Sequence, residues 1–171
     1  GVSEAVHTKS DADGIDQTVR AMEHVDRGLI FTNLVDFDTL YGHRNVVPGY
    51  AGNLELLDRR LPDVLGRLGP EDVFILTADH GCDPADVSTD HTRENVPLLV
   101  GGARVRPGTA LGLRPTFADL GATLAENFGL GDLAAGSSFL FGTTTHARIA
   151  AAARHSTPRT ASPIAQPLEP F

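Results

Sequence analysis

The sequence predicts an α/β fold with a mainly parallel sheet flanked by helices, and three observations carry that prediction. Two runs rich in apolar and β-branched residues, Gly28–Val35 and Val73–Thr77, read as strands buried on both faces. Between them Pro48–Leu68 shows helical periodicity, and a helix of that length is the usual connection between neighbouring parallel strands. Each predicted strand also runs into aspartate and histidine, placing polar side chains where open α/β sheets bind their ligands.

Taken in order, residues 1–13 carry little periodicity, and Asp11-Ala12-Asp13-Gly14 reads as a turn with an N-cap carboxylate. Ile15, Val19, Met22 and Val25 then recur at three- and four-residue intervals, which predicts a helix over 14–25; His7, Lys9 and Ser10 before it read as surface polar residues. The strand over 28–35 follows and ends in Asp36-Phe37-Asp38, with His43 five residues beyond Asp38 across a turn that contains Gly42. In the helix over 48–68, Tyr50, Leu54, Leu57, Leu61, Val64 and Leu68 face Glu55, Asp58, Arg59, Arg60 and Asp63, and Pro62 is expected to kink it or divide it in two.

The next strand stops at Asp79-His80-Gly81, where glycine lets the chain turn away, and His91 follows a polar loop. Val96–Gly102 reads as a short strand, with Pro97 tolerable near its start or at a sheet edge, and 104–112 as a loop turning at Pro107-Gly108. Thr116 is placed to cap a helix running through Phe117, Leu120, Leu124 and Phe128 and ended by Gly129. Gly136–Leu140 is expected to pack on the domain, which is read as residues 1–140. Residues 141–171 shift to Ala, Thr, Pro and Arg and read as a disordered tail; a short helix near Ile149–Arg154 is the alternative, and His146 and His155 read as solvated.

Composition narrows the function. With 171 residues the chain suits one domain with a real core. At 41% hydrophobic and 21% charged it reads as globular, and without an 18-residue apolar run it is not expected to contain a membrane span. A net charge of −8 argues against nucleic acid as a partner. Gly1 opens the chain without a Met-led basic segment, so the expectation is a piece of something longer with no signal peptide. One cysteine, Cys82, precludes an internal disulfide and suits a cytoplasmic location. Cys82 could offer a thiolate to a metal, but it reads better as a small loop residue, because the donors around it are carboxylates and imidazoles.

Two strand ends bearing carboxylate and imidazole together point to a metal centre made of Asp38, His43, Asp79, His80 and His91. Five ligands exceed what one zinc ion requires, so two cations are the economical reading; the donors admit Mn²⁺, Zn²⁺ or Mg²⁺, and three histidines disfavour Mg²⁺ alone. Paired cations about 3.5–4 Å apart clamp the attacking and leaving oxygens of a phosphoryl transfer, which puts phosphate-ester chemistry first.

The stretches Phe31–Arg44 (FTNLVDFDTLYGHR), Leu76–Gly81 (LTADHG) and Thr89–Glu94 (TDHTRE) resemble the phosphopentomutase family of the alkaline phosphatase superfamily. The ADHG motif alone would indicate only the superfamily; the other two stretches are far more specific, and the resemblance runs from about Gly1 to Leu140. It implies an alkaline phosphatase-like core, of which this chain would be the carboxy-terminal portion. It further implies that Asp38, His43 and His91 hold one Mn²⁺ while Asp79 and His80 contribute to a second. The implied reaction interconverts ribose 1-phosphate and ribose 5-phosphate, and the deoxyribose counterparts, through a phosphothreonine and a bisphosphate intermediate. The amino-terminal aspartate ligand, the nucleophilic threonine and the cap domain of the family have no matching position here. Cys82 stands where asparagine is usual, and Asn45 where a second arginine is common. Arg44 and Arg93 suit bidentate phosphate contact and surface positions equally. The alternatives are another two-metal enzyme of the superfamily, such as a cofactor-independent phosphoglycerate mutase, and a non-catalytic metal-binding fragment.

Overall fold

Ser10 starts the first helix of the computed structural model, which describes residues 2–140. Its hydroxyl accepts the Asp13 N–H at 3.2 Å, so α1 spans Asp11–Met22, three residues earlier at each end than the periodicity predicts. Gly14 is thereby an interior helical residue. A Cβ there would lie 3.0 Å from Leu34 Cδ2, so glycine lets the chain that follows α1 pack directly on the helix backbone. The reading of Ser10 as a surface residue is corrected to a helix cap.

The segment predicted as the first strand pairs with no other strand among the described residues. Residues 29–34 make no backbone–backbone hydrogen bonds there. Ile30 and Leu34 are half-buried, whereas Leu29, Phe31 and Val35 are exposed, with Phe31 at 81%. A strand is defined by its neighbours, and the pattern of this segment calls for neighbours on both faces that the described residues do not supply.

At Asp36 the chain turns into a π-helix over Phe37–Gly42, followed at once by α2 (Val47–Leu65). Pro48 lies in the first turn of α2, where its missing N–H costs nothing. Pro62 does not divide the helix. It removes only the hydrogen bond that would reach the Asp58 carbonyl, one turn before the helix ends at Gly66. The helix packs against both α1 and the π-helix. The Arg60 guanidinium reaches Asp16 of α1 at 2.5 Å, and the Phe37 and Tyr50 rings meet edge to face at 5.3 Å.

The sheet consists of β1 (Phe74–Thr77) and β2 (Leu98–Gly101), paired antiparallel with Phe74 opposite Gly101 and Thr77 opposite Leu98. The predicted parallel pairing is thus absent among the described residues. Pro97 precedes the first paired residue of β2, where no ladder donor is needed. The last helix, α3 (Ala118–Phe128), begins beside Thr116, whose hydroxyl accepts the Ala118 N–H at 3.2 Å, and ends at Gly129 in the left-handed region with φ 68°.

The terminal segment packs as its sequence predicts. Ser137 donates its N–H to Asp119 at 2.8 Å, and Phe139 donates its own to the Thr123 hydroxyl at 3.0 Å and is buried. Arg114 joins the other Asp119 oxygen at 2.7 Å. The predicted tail over 141–171, with its alternative helix and His146 and His155, lies outside the described residues.

Apolar burial is sparse: among the described residues, Ile15, Val64, Ala125 and Phe139 form the buried hydrophobic set. Asp11, Asn53, Asp119 and Thr123 are buried with them, and each is hydrogen-bonded, as buried polar groups must be.

Candidate metal centre

The π-helix aligns the first two candidate ligands. Five α-helical residues turn the chain through about 500°, which would leave Asp38 and His43 about 140° apart. In the π-helix the hydrogen bond runs from residue i+5 back to residue i, and the His43 N–H reaches the Asp38 carbonyl at 3.0 Å. The two side chains therefore rise from one face, with His43 Nε2 at 3.2 Å from Asp38 Oδ1.

The other imidazoles come from the loops after β1. Gly81 and Thr92 form an isolated antiparallel bridge, with the Thr92 N–H donating to the Gly81 carbonyl at 3.0 Å. That bridge brings His80 and His91 side by side although eleven positions separate them in the chain, and their rings stack at 3.5 Å between centroids. His91 Nε2 lies 3.4 Å and His80 Nε2 3.7 Å from Asp38 Oδ1. A Cβ on Gly81 would fall 2.7 Å from the Thr92 carbonyl, so the bridge closes only around glycine.

All three imidazoles thus turn Nε2 toward a single carboxylate oxygen. That oxygen is buried and accepts no hydrogen bond. Two of the rings are fixed from behind: His43 Nδ1 donates to the Thr89 carbonyl at 2.5 Å, and His80 Nδ1 to the Gly81 carbonyl at 3.0 Å. This arrangement leaves the Nε2 lone pairs free, the tautomer a metal ligand requires. Ligand atoms of Asp38, His43 and His91 all fall within 4.8 Å of one another, close enough to share one cation. An orphaned buried carboxylate oxygen ringed by imidazole nitrogens fits a divalent cation.

His80 adjoins that group. Asp79 does not point into it: its side chain is 82% exposed, and its carboxylate comes no closer to His80 Nε2 than 3.6 Å. The structure therefore gathers three of the predicted residues, His43, His80 and His91, around a fourth, Asp38, and leaves Asp79 at the open edge. Arg44 folds back on the π-helix, where its Nε donates to the Thr39 carbonyl at 3.1 Å. Cys82 packs its sulfur against Gly42, where an added Cβ would approach it to 2.3 Å. Burial pushes the Cys82 thiol up from its ordinary range, and the carboxylates of Asp38, Asp83 and Glu94 add to the effect.

Two contributors escape the sequence reading. The Thr89 carbonyl is a backbone group, for which a side-chain pattern holds no signal. Asp11, read as a turn residue, is only 4% exposed and binds the Asp36 backbone directly ahead of the π-helix. An aspartate at a helix start is ordinarily solvated, so the sequence holds no signal for it.

A family model described as the metalloenzyme superfamily matches residues 1–132. The chain is similar to a protein of Anaeromyxobacter dehalogenans named phosphopentomutase, at 60% identity over 141 residues, covering 82% of this chain and 36% of the relative. A phosphopentomutase of Caldanaerobacter subterraneus is 54% identical over 140 residues, with the same two coverages of 82% and 36%. One from Kosmotoga olearia is 55% identical over 139 residues, covering 81% of this chain and 36% of the relative. The chain thus spans little more than a third of the length of the curated relatives it matches.

Proposed function

This chain belongs to the metalloenzyme superfamily, and on that premise we propose that it is a segment of a phosphopentomutase, interconverting ribose 1-phosphate and ribose 5-phosphate and their deoxyribose counterparts. The observation that carries the reading is the 60% identity to a protein of that name along 141 residues. The donor set gives it independent support, since imidazoles ringing one orphaned carboxylate oxygen suit the divalent-cation chemistry of phosphoryl transfer.

In this reading Asp38, His43 and His91 hold one Mn²⁺, and Asp79 and His80 contribute to a second whose remaining ligand lies outside this chain. The nucleophilic threonine lies outside it as well. When bound, the cations supply positive charge that stabilises the charge developing on the transferring phosphoryl oxygens. The chain's own contribution is positional. The carbonyls of Thr89 and Gly81 hold the His43 and His80 rings in one tautomer, and the stack of His80 on His91 restrains both. The exposed Asp79 leaves room on its side for a pentose phosphate and for the absent ligand.

The same reading makes residues 28–35 a strand of a mainly parallel, alkaline phosphatase-like sheet completed by chain outside this segment, in a cytoplasmic enzyme. No helix of the described residues is long and apolar enough to cross a membrane. The test is an assay of the full-length protein with Mn²⁺ on ribose 1-phosphate and, separately, on 3-phosphoglycerate. Formation of ribose 5-phosphate is the expected outcome, and turnover of 3-phosphoglycerate alone overturns the assignment.

A further inference from the structure

We propose that Asp11 is a positioning residue for the metal centre: its buried carboxylate ties the starts of α1 and the π-helix to α2, and so fixes where Asp38 and His43 stand. The inference rests on the reading of Asp38 as a metal ligand. Asp11 opens α1 and is 4% exposed. One carboxylate oxygen accepts the Asp36 N–H at 2.9 Å, and Asp36 returns the contact by accepting the Asp11 N–H at 2.8 Å. These reciprocal bonds close a ring between residues twenty-five positions apart. The other Asp11 oxygen accepts the Asn53 amide N–H from α2 at 2.6 Å. Three elements therefore converge on one side chain.

What that side chain holds is the entry to the π-helix. Asp36 is the residue immediately before it, and Asp38 lies two positions on. Residues 29–34 make no backbone–backbone hydrogen bonds among the described residues, and the Asp36 N–H itself is held by Asp11. Asp38 Oδ1 must nonetheless sit within 3.2–3.7 Å of three imidazole nitrogens that come from other loops and from the far end of the π-helix. A cation site tolerates little drift in such a donor, and partners one step behind the ligands typically set metal affinity by 10- to 100-fold.

Asp11→Ala removes the acceptor from Asp36 and Asn53 together. Asp11→Asn keeps an oxygen for the Asp36 N–H, and Asn53 can rotate its amide to present oxygen to the new NH₂. In the full-length protein, calorimetric titration with Mn²⁺ alone should find affinity lowered about 10- to 100-fold in D11A and held within about fivefold of wild type in D11N. In the metal-free protein, hydrogen exchange of amides 36–43 should quicken in D11A while that of α3 stays unchanged. Wild-type Mn²⁺ affinity in a folded D11A overturns the proposal, as does an equal loss in D11N and D11A. Should D11A fail to fold, Asn53→Ala carries the test: it frees one carboxylate oxygen, and unchanged Mn²⁺ affinity there overturns the proposal too. Because these readouts need no substrate, absent pentose-phosphate turnover in the wild type would strike the mutase reading and leave this comparison intact.

Discussion

Asp38 Oδ1 is the point on which the site turns: buried, without a hydrogen-bond donor, and faced by the Nε2 atoms of His43, His80 and His91. Without a cation this oxygen would cost free energy, since a buried charged acceptor with no partner forfeits its hydration. On the proposed assignment the residues separate by metal. In the full-length protein, His43→Ala or His91→Ala should lose one metal equivalent after dialysis, whereas Asp79→Asn should weaken retention of the other. Two retained equivalents in all three variants would contradict the ligand assignment. The residue types were legible in the sequence, because aspartate and histidine following apolar runs are a conspicuous pattern. Asp11 was not, since an aspartate beside a helix start is ordinarily solvated, and only the depth of its neighbours makes it a tie.

Among the elements, the π-helix and the Gly81–Thr92 bridge do the assembling. The five-residue spacing of Asp38 and His43 suggests no common face in an α-helix and acquires one only through the hydrogen bond from His43 N–H to the Asp38 carbonyl. Gly42 closes this turn against the neighbouring loop, where a Cβ would approach the Cys82 sulfur to 2.3 Å and the Phe37 carbonyl to 3.0 Å. Gly42→Ala should accordingly destabilise the full-length protein by about 1–3 kcal/mol, the usual cost of overpacking. Adding Cys82→Ala should recover part of the loss, and denaturant unfolding of the single and double variants measures it. A double variant no more stable than G42A would show that the Phe37 carbonyl, rather than the sulfur, sets the cost. Helix periods were readable in advance, but helix ends were not: α1 begins at Ser10 because its hydroxyl reaches the Asp13 N–H, a local contact that the apolar stripe does not encode.

Across the molecule, apolar residues outnumber the places in which to bury them. Among the described residues Leu29, Phe31 and Val35 stand exposed on a segment without ladder partners, and the buried apolar set is small. Such a surface on a chain spanning little more than a third of its relatives is the face that a larger fold would cover. Amides 29–34 should thus exchange close to free-peptide rates in this chain expressed alone and slow by orders of magnitude in the full-length protein. Equal exchange in the two would remove the argument that this segment is a sheet strand.

The sequence by itself determined the chemistry: oxygen and imidazole donors, their attachment to two apolar runs, and the helical and strand periods between them, all of which depend on side-chain type and local spacing. Tertiary structure decided which of those donors meet. A π-turn, a two-residue bridge and a buried carboxylate bring three imidazoles to one oxygen of Asp38 and leave Asp79 at the rim. Those contacts join residues five, eleven and twenty-five positions apart, and their geometry is set by hydrogen bonds from backbone groups that carry no residue-specific signal. Strand pairing was undecided for the same reason: a strand exists only when another chain segment accepts its hydrogen bonds, and none of the described residues does so for 29–34.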